Sequence, residues 1–418
     1  MNVLAKWIAS PKDTGPAAVT FSKKFNCGRA IKRATLYASS VGVYVLYLNG
    51  KRVGRNVLAP GWTSYKKRIL YQEYDITNDI SEENLVEISV GQGWAVGYIG
   101  RFNNNHFYYD RVAAIAHISI EYEDGSVCDI VSDDDWEVYT SYVISTEIYH
   151  GETVDMTVPI SFIGKAVLYD VQSQLVKQDG ELIVENERIA PIDVIRTPKG
   201  ELVLDFGQNM AGYVEIKIRA SRGSRIVVHH SEVLDSKGNF YNENNRLARQ
   251  ENIYVCSGGE DVFKPLFTTQ GFRYIRLTEF PFDTVDKRNF RAVAVHSDIK
   301  RTGRFKCGNE KINQLYHNTV WGLKSNYIDI PTDCPQRDER LGWTGDAQMF
   351  FNTAAYNYDV EKFFKKWLTD LAIEQLDNGA ITGTCPIPPP RPNRISAGWG
   401  DAACIIPWEL HERRSAQA

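Results

Sequence analysis

The 418-residue chain is 43% hydrophobic and 24% charged, enough apolar material for two or three packed domains and too much for a disordered chain. Its 48 Lys and Arg against 52 Asp and Glu give a formal charge of -4, which excludes a basic field for nucleic acid or an anionic membrane and points to an uncharged ligand. The seven cysteines are widely spaced without a CxxC pair and read as free buried thiols.

Residues 1–7 lack the charged-then-apolar pattern of a secretion signal, and no apolar run approaches the roughly 20 residues that span a bilayer. A soluble, cytoplasmic protein without a membrane partner is expected.

From about residue 18 to 170 short apolar alternations are separated by turn residues. Strands are predicted at 34–38, 44–48, 69–74, 85–90, 113–122 and 136–138, with Asn49-Gly50 as a hairpin turn. This reads as a β-sandwich or jelly roll. A second sandwich is expected over 171–297, with strands at 202–204, 213–218, 225–229, 252–255 and 274–278. Between them the polar run Tyr241, Asn242, Glu243, Asn244, Asn245 and Arg246 reads as a loop or short helix over the sheet.

Near residue 300 the period changes from two to about 3.6. Ile312, Leu315, Tyr316, Val320, Leu323 and Tyr327 mark one amphipathic helix, started by Asn309 and Glu310. Phe363, Phe364, Trp367, Leu368, Leu371 and Ala372 mark another, with Asp359 as N-cap and Gly379 as its stop. After the Pro-rich loop 386–392 a third helical run starts near Asp401.

The segment between the first two helices concentrates acids: Asp329, Asp333, Asp338, Glu339 and Asp346 fall within eighteen residues. Prolines 331 and 335 and glycines 342 and 345 disfavour a continuous helix, so the segment is a loop at the end of a rigid scaffold, where reactive groups commonly sit. Glycoside hydrolysis needs one carboxylic acid to protonate the leaving oxygen and a second carboxylate to activate water or attack carbon. This loop, with Trp343 beside it, could supply the acid. Equally, the acids could pair with Arg337 and Arg340 or cap the next helix, and spacing alone does not choose.

The run Asp333, Cys334, Pro335, Gln336, Arg337, Asp338, Glu339, Arg340, Leu341, Gly342, Trp343, Thr344, Gly345, Asp346 resembles the signature of the bacterial alpha-L-rhamnosidases. Ser297-Asp298-Ile299, Arg301 through Phe305 and Gly398-Trp399-Gly400-Asp401-Ala402 resemble the same family's helical domain. Asp205 through Gly212, His230 through Leu234 and Gln270 through Ile275 resemble its central β domain. Gly61-Trp62-Thr63 and Gly91-Gln92-Gly93-Trp94 resemble its N-terminal sandwich.

The resemblance covers nearly the whole chain and implies an N-terminal β-sandwich domain over 1–170, a central β-sandwich over 171–297, and the first part of an (α/α)6 six-hairpin glycosidase domain over 298–418. It further implies an inverting hydrolase of terminal alpha-L-rhamnose acting on rhamnose-containing glycosides or oligosaccharides. Glu339 would be the general acid, with Asp338 as the competing assignment. Asp333 and Asp346 would accept hydrogen bonds from rhamnose hydroxyls. Trp343 would pack on the sugar's apolar face and methyl group, Arg337 would contact substrate or hold the carboxylates, and Trp399 would add a second aromatic wall.

A working acid must be protonated, so burial and the charges of Asp333, Asp338 and Asp346 are expected to raise Glu339.

The sequence departs from the family in two respects. A twelve-helix barrel is expected, but only three or four helices follow residue 300, and the family's catalytic base lies on a later helix with no counterpart before Ala418. The chain is therefore expected to be C-terminally truncated, with little or no hydrolysis and sugar binding at most. Apolar faces around Phe363, Trp367 and Leu371 are expected to lack partners and to drive self-association or recruitment of the missing C-terminal fragment.

No cofactor or metal is expected. Calcium at Asp133-Asp134-Asp135 is possible, although three such acids are usually a solvated turn. His229 and His230 point to opposite faces of a strand and cannot chelate together. The aromatics Trp62, Trp94, Tyr98, Phe107, Tyr108 and Tyr109 suit either sugar binding or core packing.

Overall fold

The computed structural model describes residues 4–101, 104–388 and 395–415. Part of the Pro-rich loop, residues 389–392, lies outside the described residues, as do residues 1–3 and 416–418.

Strands form where the sequence alternates. Glu83–Gly91 buries alternate side chains, because successive strand residues point to opposite faces. A seven-stranded sheet orders its strands Val167–Leu168, Ile8–Ala9, Ala113–Tyr122, Ile31–Val41, Arg68–Asp75 and Gln174–Lys177, with Val127–Val131 added to Ala113–Tyr122. A six-stranded sheet orders Phe162–Lys165, Glu137–Thr140, Val19–Asn26, Glu83–Gly91, Val43–Leu48 and Lys51–Arg52. Tyr44 reaches from the second sheet to the first, where its hydroxyl donates to Gln72 Oε1 at 2.7 Å. Asn49 and Gly50, at φ 53° and 73°, make the expected hairpin and set Leu48 opposite Lys51.

A ten-stranded sheet follows, centred on the 18-residue strand Leu202–Arg219 between Gln270–Glu279 and Phe290–Ser297. The two strands expected at 202–204 and 213–218 are thus one. The polar stretch between them is an irregularity where the register shifts between Asp205 and Met210, and Gly207 supplies the φ of 73° that the bend needs.

Strand exchange crosses the expected division at residue 170 in both directions. Val143–Glu147 and Gly151–Asp155 extend the ten-stranded sheet by a parallel pairing with Glu251–Val255. Gln174–Lys177 returns to pair in parallel with Arg68–Asp75. Alternation identifies strands and leaves their partners open.

Glu152 helps seat this exchange: its Oε2 accepts from Leu266 N at 2.7 Å and Phe267 N at 2.6 Å. Burial pushes its carboxyl up to about 7 against the lowering effect of those two N–H groups. A folded value above the unfolded 4.5 means that the stability from Glu152 is full below about pH 4.5 and is lost as pH rises through about 7. Glu152→Gln is therefore expected to melt above the wild type at pH 8 and no higher than it at pH 4, about a few kcal/mol separating the two gaps. A gap independent of pH in a fluorimetric melt would contradict this.

Four longer helices follow the sheets: α1 (Glu310–Asn326), α2 (Thr344–Asn357), α3 (Glu361–Ile373) and α4 (Ala402–Ser415). Asn309 caps α1 as expected, its Oδ1 accepting from Lys311 N at 3.0 Å and Ile312 N at 3.4 Å. Asp359 does not cap α3. The chain enters α3 from Val360 without a side-chain cap, and Asp359 instead donates its backbone N–H to Lys300 O. The helix stops at Ile373, and Gly379, at φ 80°, serves the turn beyond.

The expected exposed face around Phe363, Trp367 and Leu371 is a core, with these side chains 1%, 0% and 2% exposed. Tyr327 stacks on Phe363 at 4.7 Å, Phe364 sits edge-on to Phe351 and Trp367, and Trp367 Nε1 donates to Cys385 O at 2.9 Å. Periodicity gives a helix's apolar face but not its cover, and the cover here is the hairpin ahead of the acidic loop. Exposed apolar side chains lie elsewhere on the helices, among them Leu315 on α1, Met349 on α2, Ile373 at the end of α3 and Trp408 on α4.

No helix among the described residues is long and apolar enough to cross a membrane. The seven thiols are free, but only Cys27, Cys256, Cys334 and Cys385 are buried, so the expectation of burial fails for Cys128, Cys307 and Cys404.

Candidate active site

The acidic loop divides its carboxylates between structure and site. Asp329 holds a φ of 66° in the tight hairpin of Tyr327–Ile328 and Ile330–Pro331. Its Oδ2 accepts from Trp62 N at 2.5 Å and Lys366 Nζ at 2.8 Å, which assigns it to the junction between the first β-sheets and the helices. Asp338 is held by Arg246, whose Nε donates to Oδ1 at 2.6 Å. Asp333, Glu339 and Asp346 are the carboxylates left once these two are assigned, and Asp333 Oδ1 accepts from Leu341 N at 3.0 Å.

Arg340 gives the loop its shape. It is buried at φ 47° and donates to Ile148 O at 3.2 Å, Thr269 O at 2.8 Å, Gln336 O at 3.1 Å and Arg337 O at 3.2 Å. Its guanidinium lies 4.9 Å from the Tyr149 ring centroid, and the Tyr149 hydroxyl donates to Glu339 O at 2.7 Å. Arg340 thus pairs with backbone carbonyls across both β regions, whereas Arg337 takes the ionic role, 3.3 Å from Asp333 Oδ2 and 3.3 Å from Glu339 Oε2.

Glu339 is buried, and cations surround it. Arg101 donates to Oε2 at 3.0 Å and Oε1 at 3.3 Å, Arg246 donates to Oε2 at 3.1 Å, and Trp343 Nε1 donates to Oε1 at 3.2 Å. Desolvation pushes the carboxyl up, but the hydrogen bonds from Arg101 and Arg246 and the charges of Arg101 and Arg337 outweigh it and hold Glu339 below the usual glutamate range. The expected upward shift is therefore wrong in sign, because Arg101 and Arg246 arrive from distant segments. Asp333 and Asp346 do shift up, both chiefly by desolvation and further by the Glu339 charge.

Arg101→Gln is expected to raise the Glu339 carboxyl, read from its carbon-13 shift in an NMR titration. An unchanged titration would mean that Arg101 does not set it.

Asp346 lies in the first turn of α2 and Trp343 at its N-cap position. Trp399 is 41% exposed, and its ring crowds Gly345, where an added Cβ would stand 2.9 Å from ring atoms. Trp343, Asp346 and Trp399 therefore gather around one helix start. A cavity of about 410 Å³ runs beside Asp333 and Asp346 under Leu323, Tyr327 and Phe350. Glu339, Arg337, Trp343 and Trp399 stand outside its lining.

The sequence reading missed Arg101 and Arg246. Two adjacent acids, Asp338 and Glu339, need more cation than the motif supplies once Arg340 is turned to carbonyls, and the polar run ending at Arg246 was the available signal. Nothing local marks Arg101.

Other signals resolve as structure. Among the described residues no group of three or more His, Cys, Asp or Glu is placed to hold a metal. Asp133 and Asp135 instead lie 3.8 Å and 4.0 Å from Lys23. Trp62 and Trp94 stack at 6.1 Å and are buried, as is Tyr108, so these three serve packing. His230 is enclosed with Nδ1 2.8 Å from Gln250 O, while His229 Nε2 lies 3.1 Å from Thr278 Oγ1.

Three family models match the chain in succession. They are the alpha-L-rhamnosidase N-terminal domain over residues 29–185, the bacterial alpha-L-rhamnosidase concanavalin-like domain over 195–296, and the bacterial alpha-L-rhamnosidase 6 hairpin glycosidase domain over 300–415. An alpha-L-rhamnosidase of Streptomyces avermitilis is 38% identical over 98% of this chain and 42% of its own length. One of Formosa agariphila is 34% identical over 98% of this chain and 47% of its own. This chain thus spans less than half the length of either relative.

Among solved structures, native alpha-L-rhamnosidase of Aspergillus terreus superposes with a TM-score of 0.93 at 34% identity, over 98% of this chain and 50% of that one. The Streptomyces avermitilis enzyme, complexed with L-rhamnose, superposes at 0.90 and 35% identity over 94% of this chain and 40% of that one.

Proposed function

The chain belongs to the bacterial alpha-L-rhamnosidase family, and from that premise we propose that it supplies the acid and the sugar-holding loop for inverting hydrolysis of terminal alpha-L-rhamnose from rhamnosides. One observation carries the reading: Glu339 and Asp333 share the loop that leads through Trp343 into the first turn of α2, where Asp346 lies, and Glu339 Oε1 accepts from Trp343 Nε1 at 3.2 Å.

In this reading Glu339 gives its proton to the glycosidic oxygen as the bond to the anomeric carbon breaks, and a water attacks the opposite face, its proton passing to a second carboxylate that none of the acids of this loop supplies. Asp333 and Asp346 accept from rhamnose hydroxyls, and Trp343 and Trp399 bracket the apolar face and methyl group. Arg337 orients the carboxylates. No cofactor takes part, and the free thiols suit a reducing cytoplasm.

The three arginines favour a second reading. A Glu339 kept as a carboxylate is an acceptor for sugar hydroxyls and not a donor, which describes a rhamnose-binding unit without turnover. Proton NMR of the chain with 4-nitrophenyl alpha-L-rhamnoside separates the two. Hydrolysis by inversion releases beta-L-rhamnose first, release of the alpha anomer first would overturn inversion, and binding without release would support the second reading.

A further inference from the structure

A cleft of about 790 Å³ lies between the 10–16 loop, the segments 96–98, 105–106 and 110–112, and the segment 145–150. Its polar rim carries both signs of charge, from Lys12, Arg111 and Arg249 against Asp13 and Asp110, with Tyr98 as an aromatic face. Tyr98 is half-buried, its ring edge-on to His150 at 5.0 Å, and its backbone N–H donates to Glu147 Oε1 at 2.7 Å.

The segments that line the cleft also carry the residues bonded to Glu339. Three residues after Tyr98, Arg101 reaches the Glu339 carboxylate, and between them Gly100 N donates to the Tyr149 hydroxyl at 2.9 Å. Three residues before Arg249, Arg246 reaches the same carboxylate, and Leu247 between them lines the cleft and is 51% exposed. The middle wall repeats the pattern, since Glu147 and His150 line the cleft while Tyr149 bonds Glu339 O. Asp333, Trp343 and Asp346 belong instead to the helical side of Glu339. An acid protonates the bond between the sugar that is cut off and the group that leaves. With the sugar on the helical side, a leaving group of more than one unit would extend past Glu339 toward the segments that carry Arg101, Tyr149 and Arg246 and, beyond them, line the cleft.

We propose that this cleft receives the leaving-group side of the substrate, and that this leaving group is an oligosaccharide of a few units. The inference rests on the rhamnosidase reading and names its aglycone class. The volume lies within the range of about 300–1,000 Å³ typical of ligand sites. Mixed-charge hydrogen-bonding arms around one aromatic face match hydroxyl groups and apolar C–H faces better than a flat aromatic aglycone.

The test is an array of oligosaccharides with and without a terminal alpha-L-rhamnose, probed with the whole 418-residue chain. Retention on rhamnose-free oligosaccharides is expected, falling about ten-fold or more in Tyr98→Ala and in Arg249→Ala. Melting curves confirm that both cleft variants are folded. No retention on any rhamnose-free sugar, or equal retention by both cleft variants, would overturn the proposal. Rhamnose release from an aryl rhamnoside is scored separately. Cleft-dependent binding without release leaves the cleft standing and removes the hydrolase reading; release without cleft-dependent binding does the reverse.

Discussion

If Glu339 is the acid as proposed, Glu339→Gln is expected to lower cleavage of methyl alpha-L-rhamnoside by about 10²–10⁴-fold, the usual contribution of a positioned general acid, while affinity for L-rhamnose changes far less. The amide keeps an oxygen to accept from Trp343 Nε1, so the loop retains that contact, and Arg246 keeps Asp338 as its partner. What the amide lacks is a proton to give. Methoxide is a poor leaving group and depends on that proton.

Including azide in one arm makes the measurement independent of the base: azide forms its bond to the anomeric carbon without first losing a proton, and a Glu339 that acts as the proposed acid would still protonate the departing oxygen. Azide-dependent cleavage without hydrolysis would show an acid working without a base. A loss of affinity as large as the loss of rate would make Glu339 a sugar contact instead.

Lys366→Met destabilises the protein by about 3–5 kcal/mol, the typical result of stripping one partner from a buried ion pair. Lys366 is 1% exposed and lies 2.8 Å from Asp329 Oδ2 and 3.6 Å from Asp370 Oδ2, while its Nζ also donates to Trp62 O. Arg68 still holds Asp370, from Nε at 2.8 Å, but Asp329 is left as a buried charge with the Trp62 N–H alone. The hairpin that leads into the acidic loop then loses its anchor. In denaturant titrations the double variant Lys366→Met with Asp329→Asn recovers much of the loss, because the unpaired charge is gone. A double variant no more stable than the single would mean that methionine's shape, and not the charge, does the damage.

Strands were legible in the sequence wherever one face is buried and the other wet, as in Glu83–Gly91. The long strand Leu202–Arg219 was not, because Gly207 and its polar neighbours imitate a turn while the ladder continues past them. Helices showed through their period, and Asn309 through its capping chemistry. The cover over Phe363 and Trp367 did not, since it comes from Tyr327 and Cys385 through the fold.

The site follows the same division. The motif held Asp333, Glu339, Trp343 and Asp346, but the charge state of Glu339 depends on Arg101 and Arg246, 238 and 93 positions away in the chain. A local pattern cannot report a partner brought in by tertiary structure, and here the partners reverse the sign of the shift.

The most direct measurement compares two leaving groups in wild type and Glu339→Gln, with azide present. Methyl alpha-L-rhamnoside needs a proton on its departing oxygen, whereas 2,4-dinitrophenyl alpha-L-rhamnoside departs as a stable anion. The account expects the variant to lose cleavage of the methyl rhamnoside and to retain most of its cleavage of the dinitrophenyl one. Equal losses on both substrates, or no cleavage of either by the wild type, would contradict Glu339 as the acid.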